Sequence, residues 1–179
     1  MKVVVQRVLR AKVTVDSQEV NSIKNGLCLL VGLHKFDQRT DIDYMLVSLI
    51  NLISIFNCKM VQKILKLRLF DDEGKKWHAN VVDMGYEILS ISQFTLCYKL
   101  KGNKLDFHQA MPGDNARQNY QYFLDSLKNF YSETKIKDGV FGGKMEVEIL
   151  NDGPVTVQLE SGEKNSSDIY NEKLDVKLN

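Results

Sequence analysis

Proline is scarce in this sequence. Pro112 and Pro154 are the only two in 179 residues, so each stands where a fixed φ and a missing N–H are tolerated or used. Cysteine is scarce as well. Cys28, Cys58 and Cys97 are odd in number, widely spaced and set among apolar residues, which argues for buried reduced thiols and against a disulfide framework or a C-x-x-C metal site. Neither charge dominates: 24 Lys plus Arg stand against 23 Asp plus Glu, a formal net charge of +1. That balance excludes a strongly basic nucleic-acid binder and leaves room for a local basic patch. Long apolar runs are missing too. Residues 44–58 carry no charge but fall short of the ~20 needed to span a bilayer, and they include Ser48, Asn51 and Ser54. The opening Met1-Lys2-Val3-Val4-Val5-Gln6-Arg7 has no apolar run of the roughly 7–15 residues a secretory signal needs. Neither a membrane span nor a leader is expected.

Familiar catalytic signatures are absent as well: no G-x-S-x-G, H-E-x-x-H, G-x-x-x-x-G-K-[ST] or G-x-G-x-x-G occurs. His34, His78 and His108 lie far apart, without a companion at ligand spacing. No metal and no cofactor are expected. A catalyst built from this chain works through positioning and backbone donors.

What is present is a mixture of strand and helix signals. Val3–Leu9 alternates as a strand, Val13-Thr14-Val15 reads as a second, and Leu27–Val31 after the Asn25-Gly26 turn reads as a buried third. Asp37 or Thr40 can cap a helix with Ile42, Met45, Leu46, Leu49, Ile50 and Ile53 at helical spacing. Asp71-Asp72-Glu73-Gly74 is a polar turn, and Glu87–Leu96 returns to strand chemistry. Pro112 precedes a second amphipathic helix begun near Asp114, with Ala116, Tyr120, Phe123, Leu124, Leu127 and Tyr131 on one stripe. Gly139, Gly142 and Gly143 then break the chain ahead of strands at 145–150 and 155–159, joined by a turn at Asn151-Asp152-Gly153-Pro154. From Ser161 onward the composition is that of a flexible tail. The pattern favours an α+β fold over a doubly wound sheet. Met45–Leu52 also resembles Met60–Leu67; the second copy has the pattern of a half-buried helix, the first is apolar nearly all round.

Four segments carry chemical signal. In Ser92-Gln93-Phe94-Thr95-Leu96 two hydroxyls and a carboxamide interrupt an apolar strand, which suits either a hydrogen-bonded strand edge or a pocket wall whose N–H groups face a carbonyl oxygen. Asn151-Asp152-Gly153-Pro154-Val155-Thr156 is a plain turn or a rigid backbone device, since glycine allows close approach and the X–Pro bond can be cis. Arg7 falls on the face of Val3, Val5 and Leu9, where a charge needs a partner or carbonyls. Lys99-Leu100-Lys101-Gly102-Asn103-Lys104 is a small basic loop, either solvated or a phosphate contact.

Together these segments resemble the D-aminoacyl-tRNA deacylases, in the branch related to D-tyrosyl-tRNA deacylase. The likeness runs from Met1–Val8 and Asn25-Gly26-Leu27 through Leu67-Arg68-Leu69-Phe70, Ser92–Leu96, Lys101–Lys104 and Phe107-His108, to Phe141-Gly142, Met145 and Asn151–Thr156. It spans about residues 1–160, with an apparent insertion at about 46–59 and a tail at 161–179. The resemblance implies a homodimer with antiparallel and mixed sheets in a barrel-like core and two flanking helices. It implies hydrolysis of the ester joining a D-amino acid, or glycine, to the 3′-terminal adenosine of tRNA, without metal. It places Ser92, Gln93, Phe94 and Thr95 in the catalytic wall, with the Phe94 amide on the carbonyl oxygen. Thr95 as nucleophile has no base in its motif, so the 2′-hydroxyl of the tRNA assisting water is the preferred model. By the same resemblance a cis Gly153-Pro154 enters the other subunit's pocket and excludes L side chains, Arg7 locks it, and Phe141 and Met145 line the adenosine pocket. Lys99, Lys101 and Lys104 of the basic loop are the expected tRNA contacts. Leu105 departs from the family's usual proline, and the insertion reads as an artefact or a duplication.

Two other readings remain at this stage: a DNA-binding role in replication, and a related deacylase branch with relaxed chirality. The tail sets Lys164, Lys173 and Lys177 against Glu163, Asp168, Glu172 and Asp175, so DNA is not an expected partner. The expected location is the cytoplasm, with the nucleus left open.

Overall fold

The structure, a computed structural model, describes residues 1–37 and 59–161. The helix expected from Asp37 or Thr40, the first copy of the Met45–Leu52 pattern, Cys58 and the tail lie outside the described residues, as does the apparent insertion up to residue 58.

One six-stranded mixed sheet organises the molecule. Its strands are β1 (Lys2–Val15), β2 (Gln18–Ile23), β3 (Gly26–Gly32), β6 (Glu87–Ser92), β9 (Ile136–Asp138) and β10 (Glu146–Glu160), in the order β10-β1-β3-β6-β9 with β2 paired to β1. β1 pairs antiparallel with β3 over Lys2–Val8, with β2 over Ala11–Val15 and with β10 along most of its length. β3–β6 and β6–β9 are parallel. The sheet curls toward a barrel. Two small antiparallel hairpins stand apart from it: β4 (Phe70–Asp72) with β5 (Lys75–Ala79), and β7 (Lys99–Lys101) with β8 (Lys104–Asp106).

β3 and β6 are near-continuous apolar runs because both of their faces are covered. Cys28, Leu89 and Ile91 join Val8, Ala11, Val13 and Ile23 in the cluster inside the curl. Leu27, Leu29, Val31 and Ile88 turn the other way, onto α1 (Lys59–Lys66) and α2 (Gly113–Phe130). α1 buries Met60, Val61, Ile64 and Leu65, the half-buried helix expected of the second copy. α2 follows Pro112 and buries Ala116, Tyr120, Phe123, Leu124 and Leu127, as its stripe requires.

Three sequence expectations are corrected. Val3–Leu9 and Val13–Val15 are one strand, β1. Leu9 is not on the buried face: Val8 pairs with Asn151 and Arg10 with Leu150, so Leu9 is a bulge residue, 46% exposed. That one inserted residue shifts the alternation, so Val3 and Val5 face the helices whereas Ala11 and Val13 face the curl. The segments at 145–150 and 155–159 are likewise one strand, β10. Arg7 pairs with Val155 and Val8 with Asn151, so Asp152, Gly153 and Pro154 loop out of a continuing ladder rather than turning the chain. Finally β6 ends at Ser92, and Phe94–Cys97 forms a single 3-10 turn.

Glycine is obligatory where the parallel seam begins. A Cβ on Gly26 would lie 1.9 Å from the carbonyl oxygen of Glu87, inside the β3–β6 pairing. Gly26→Ala is expected to destabilise by about 3 kcal/mol or more, a Tm fall of roughly 6–12 °C, because backbone must move. Differential scanning calorimetry checks this; an unchanged Tm contradicts it.

Cys28 is fully buried, and burial pushes its thiol up to about 12. Because the folded value is raised, the thiol stays protonated through the neutral and mildly alkaline range, and only the thiolate attacks an alkylating agent. Native protein treated with iodoacetamide at pH 8 should show an unmodified Cys28 peptide by mass spectrometry, and denatured protein a modified one. Equal labelling in both contradicts the burial.

Candidate active site

A cavity of 450 Å³ opens at the end of β6. Ser92, Gln93 and Phe94, at the end of β6 and the start of the turn that follows, line it together with Phe141, Gly142, Gly143, Met145, Ala110, Met111 and Tyr120. With Val31 and Leu33 from the end of β3, five separate segments meet here. The Ala110–Met111 stretch is held in place by pairing beside the end of β3, through Met111 N–H to Leu33 O at 2.9 Å and Lys35 N–H to Gln109 O at 2.8 Å.

The turn is anchored at its start. Gln93 N–H donates to Val31 O at 2.7 Å, continuing the ladder one residue past β6, and Leu96 N–H donates to Gln93 O at 3.3 Å. The amides of Phe94 and Thr95, the first two in the turn, have no acceptor among the described residues. This is the expected consequence of starting a 3-10 turn. The Gln93 side-chain amide donates to the Thr95 hydroxyl, and Phe94 is 58% exposed with its ring edge-on to Phe107 at 5.1 Å. Thr95 itself is not a lining residue. Its hydroxyl neighbour is a carboxamide, which is not a base.

Of the lining residues only Tyr120 titrates. Burial raises its phenol, against the opposing effect of its 2.9 Å hydrogen bond with Ser90. The cavity thus offers the open Phe94 amide, a hydroxyl and a carboxamide on apolar walls. Such a set can hold a carbonyl oxygen as negative charge develops on it and can orient water, but it does not itself take up a proton.

Arg7, Gly153 and Pro154 lie elsewhere on the chain, at the β1–β10 bulge. Gly153 and Pro154 are exposed, their peptide bond is cis, and Gly153 has φ +111°. A Cβ on Gly153 would meet Val155 Cγ2 at 2.9 Å and an Arg7 nitrogen at 3.2 Å, so only glycine suits this approach. Arg7 supplies the carbonyl contacts that a charge on an apolar strand face demands. Its Nη1 donates to Leu69 O at 2.5 Å and its Nε to Asp152 O at 3.3 Å, while the Asp152 carboxylate lies 3.0 Å from Nε. The Asn151 side-chain oxygen is buried there without a hydrogen-bond partner among the described residues.

Sequence reasoning missed Trp77. It is the only tryptophan, it is 51% exposed with φ +56°, and its ring lies 5.5 Å from the Arg7 guanidinium carbon. A tryptophan between charged residues in Lys75-Lys76-Trp77-His78 was the available signal. Also missed was Gly32, where a Cβ would meet Leu96 Cβ at 2.8 Å and Gln93 O at 2.9 Å. It is the seat of the Phe94–Cys97 turn, and nothing in the local sequence marks it.

Lys99, Lys101 and Lys104 stand on the β7–β8 hairpin, all exposed. Lys101 pairs with Asp106, which holds that carboxyl well below the usual carboxylate range together with His108, through its backbone N–H and its ring. Lys99 and Lys104 make no ion pair among the described residues. Leu105 is a β8 residue opposite Leu100. Among the described residues no group of three or more His, Cys, Asp and Glu side chains is placed to hold a metal, and no helix is long and apolar enough to cross a membrane.

A mixed, curled sheet flanked by helices, with an apolar cavity against a turn of open amides, defines the architectural class. The chain belongs to the D-Tyr-tRNA(Tyr) deacylase family, whose model matches residues 4–160. This is a hydrolase family acting on D-aminoacyl-tRNA esters. The chain is 49% identical to a Drosophila melanogaster D-aminoacyl-tRNA deacylase over 94% of its own length and 97% of that protein's. It is 48% identical to human D-aminoacyl-tRNA deacylase 1, over 90% of this chain and 70% of that one. Among solved structures, a c-Myc DNA Unwinding Element Binding Protein superposes with a TM-score of 0.80 at 46% identity, covering 91% of this chain and all of that one. A more distant chain, at 15% identity and a TM-score of 0.70, shares the fold.

Proposed function

We propose that this protein hydrolyses the ester between a D-amino acid and the 3′-terminal adenosine of tRNA, and the glycyl ester as well. The observation that carries the reading is the open Phe94 amide beside Ser92 and Gln93 in the cavity wall, in a chain of this family. Phe141 and Met145 take the adenosine, and the aminoacyl carbonyl lies against the turn. Water adds to the carbonyl carbon, and the Phe94 N–H stabilises the negative charge that develops on the oxygen. The bond to O3′ then breaks, the proton goes to O3′, and free amino acid and tRNA leave. Ser92 and Gln93 orient ester and water. Proton movement falls to the adjacent 2′-hydroxyl of the tRNA, since the lining residues include no base working near neutral pH. Thr95 positions Gln93 and is not the nucleophile.

Chiral selection belongs to the Gly153-Pro154 bulge. It is exposed on its own subunit and clamped from behind by Arg7, a shape suited to entering the cavity of a second copy. In such a homodimer main-chain oxygens fill the space an L side chain needs, and the D side chain points away. The DNA named for one solved relative is not proposed as a ligand here, because a formal net charge of +1 supplies no general attraction for a polyanion. Purified protein is expected to deacylate D-tyrosyl-tRNA well above the rate of buffer alone, with Pro154→Ala gaining activity on L-tyrosyl-tRNA. Hydrolysis no faster than buffer contradicts the activity, and unchanged selectivity in the proline variant contradicts the exclusion model.

A further inference from the structure

We propose that Arg117 binds the phosphate on the 5′ side of the terminal adenosine, a contact that deepens the deacylase reading and rests on it. Phe141, the wall of the cavity on the proposed adenosine side, is held by two neighbours. Tyr120 packs on it with ring centroids 5.6 Å apart, and the Arg117 guanidinium lies 4.9 Å from the ring centroid. Tyr120 is 3% exposed and tied to Ser90, so its side of the assembly is fixed to the core. Arg117 is exposed, and it has no carboxylate within ion-pair distance among the described residues. Phe141 and Tyr120 line both the cavity and a groove along α2 that contains Arg117, so the two spaces share a wall.

A guanidinium laid against a ring keeps its in-plane N–H donors free, and their fork matches two phosphate oxygens. Any nucleotide seated against Phe141 brings a phosphate with it, because the rest of the tRNA is joined through one. The groove is not generally basic. Asp125 and Asp138 also line it, although Asp125 accepts from Gln121 at 2.9 Å and lies eight residues, roughly 12 Å, along the helix from Arg117. The contact is therefore a directed one at a single residue rather than a diffuse attraction. The β7–β8 hairpin is the other basic exit, but there Lys101 is already engaged by Asp106.

The test compares three substrates with wild type and Arg117→Ala: D-tyrosyl-tRNA, the 3′-D-tyrosyl ester of adenosine 5′-monophosphate, and the same ester of adenosine. Arg117→Ala is expected to raise KM about tenfold on the two phosphate-bearing substrates with kcat nearly unchanged, and to leave the adenosine ester unaffected. The slope of log affinity against log salt on tRNA should fall by about 0.7. Equal loss on all three substrates in Arg117→Ala overturns the proposal, since Arg117 would then act only by holding Phe141; no loss on any overturns it as well. Wild-type protein inactive on all three is a different result: it removes the deacylase reading and this proposal with it.

Discussion

Replacing Arg7 by alanine is expected to destabilise the protein by about 2–4 kcal/mol and to lower its preference for D over L esters by about tenfold or more. The stability term follows from what Arg7 touches. Its guanidinium is the described donor to the carbonyls of Leu69 and Asp152, and leaving a partly buried acceptor unmade costs about 1–3 kcal/mol each. The selectivity term follows from where those carbonyls are. Asp152 begins the looped-out Asp152-Gly153-Pro154 segment, and Leu69 precedes the β4–β5 hairpin, so one side chain ties the bulge to the rest of the subunit. Without it the bulge is free to yield to an L side chain. Arg7→Lys should fall between, because an ammonium cannot span both carbonyls as the fork does. The single tryptophan gives a local readout: Trp77 emission should shift in Arg7→Ala, as its ring loses the guanidinium beside it. A variant with normal selectivity and a lowered Tm would leave Arg7 a purely structural residue.

Gly32→Ala should lose about 100-fold in kcat while its Tm falls by only several degrees. The added methyl would press on Leu96 and on the Gln93 carbonyl, the two ends of the hydrogen bond that closes the turn. The turn can give way toward the open cavity, which spares the core, but the Phe94 amide and the Gln93 side chain move with it. A displacement of about 1 Å in a positioning site costs on the order of 100-fold. Steady-state kinetics on D-tyrosyl-tRNA with a parallel melting curve decides the matter. Unchanged kcat would mean that the turn does not orient the ester.

Much of this was legible in the sequence, and the failures have physical reasons. Ser92–Phe94 stood out because polar residues interrupt an apolar strand, a pattern that suits a strand edge as well as a cavity wall, and Arg7 because a charge sat on an apolar face. Its acceptors were not visible, since Leu69 and Asp152 are brought to it only by the fold. Asn151–Pro154 read as a hairpin turn because turns and bulges use the same residues. What keeps the chain extended is β1, which pairs on both sides of the bulge. Leu9 was placed on the wrong face for a related reason: one bulge residue reverses the alternation, and alternation was the only local guide. The 3-10 turn after Ser92 was hidden because Phe94, Thr95, Leu96 and Cys97 suit a strand equally well. Gly32 could not be found at all, because its role is set by a turn 60 residues later in the chain.

Matched D- and L-tyrosyl-tRNA, given to the same preparation with its oligomeric mass determined alongside, test the central claim most directly. The expected result is a dimer that clears the D ester rapidly and leaves the L ester at the rate of buffer. Equal rates on the two esters would contradict it.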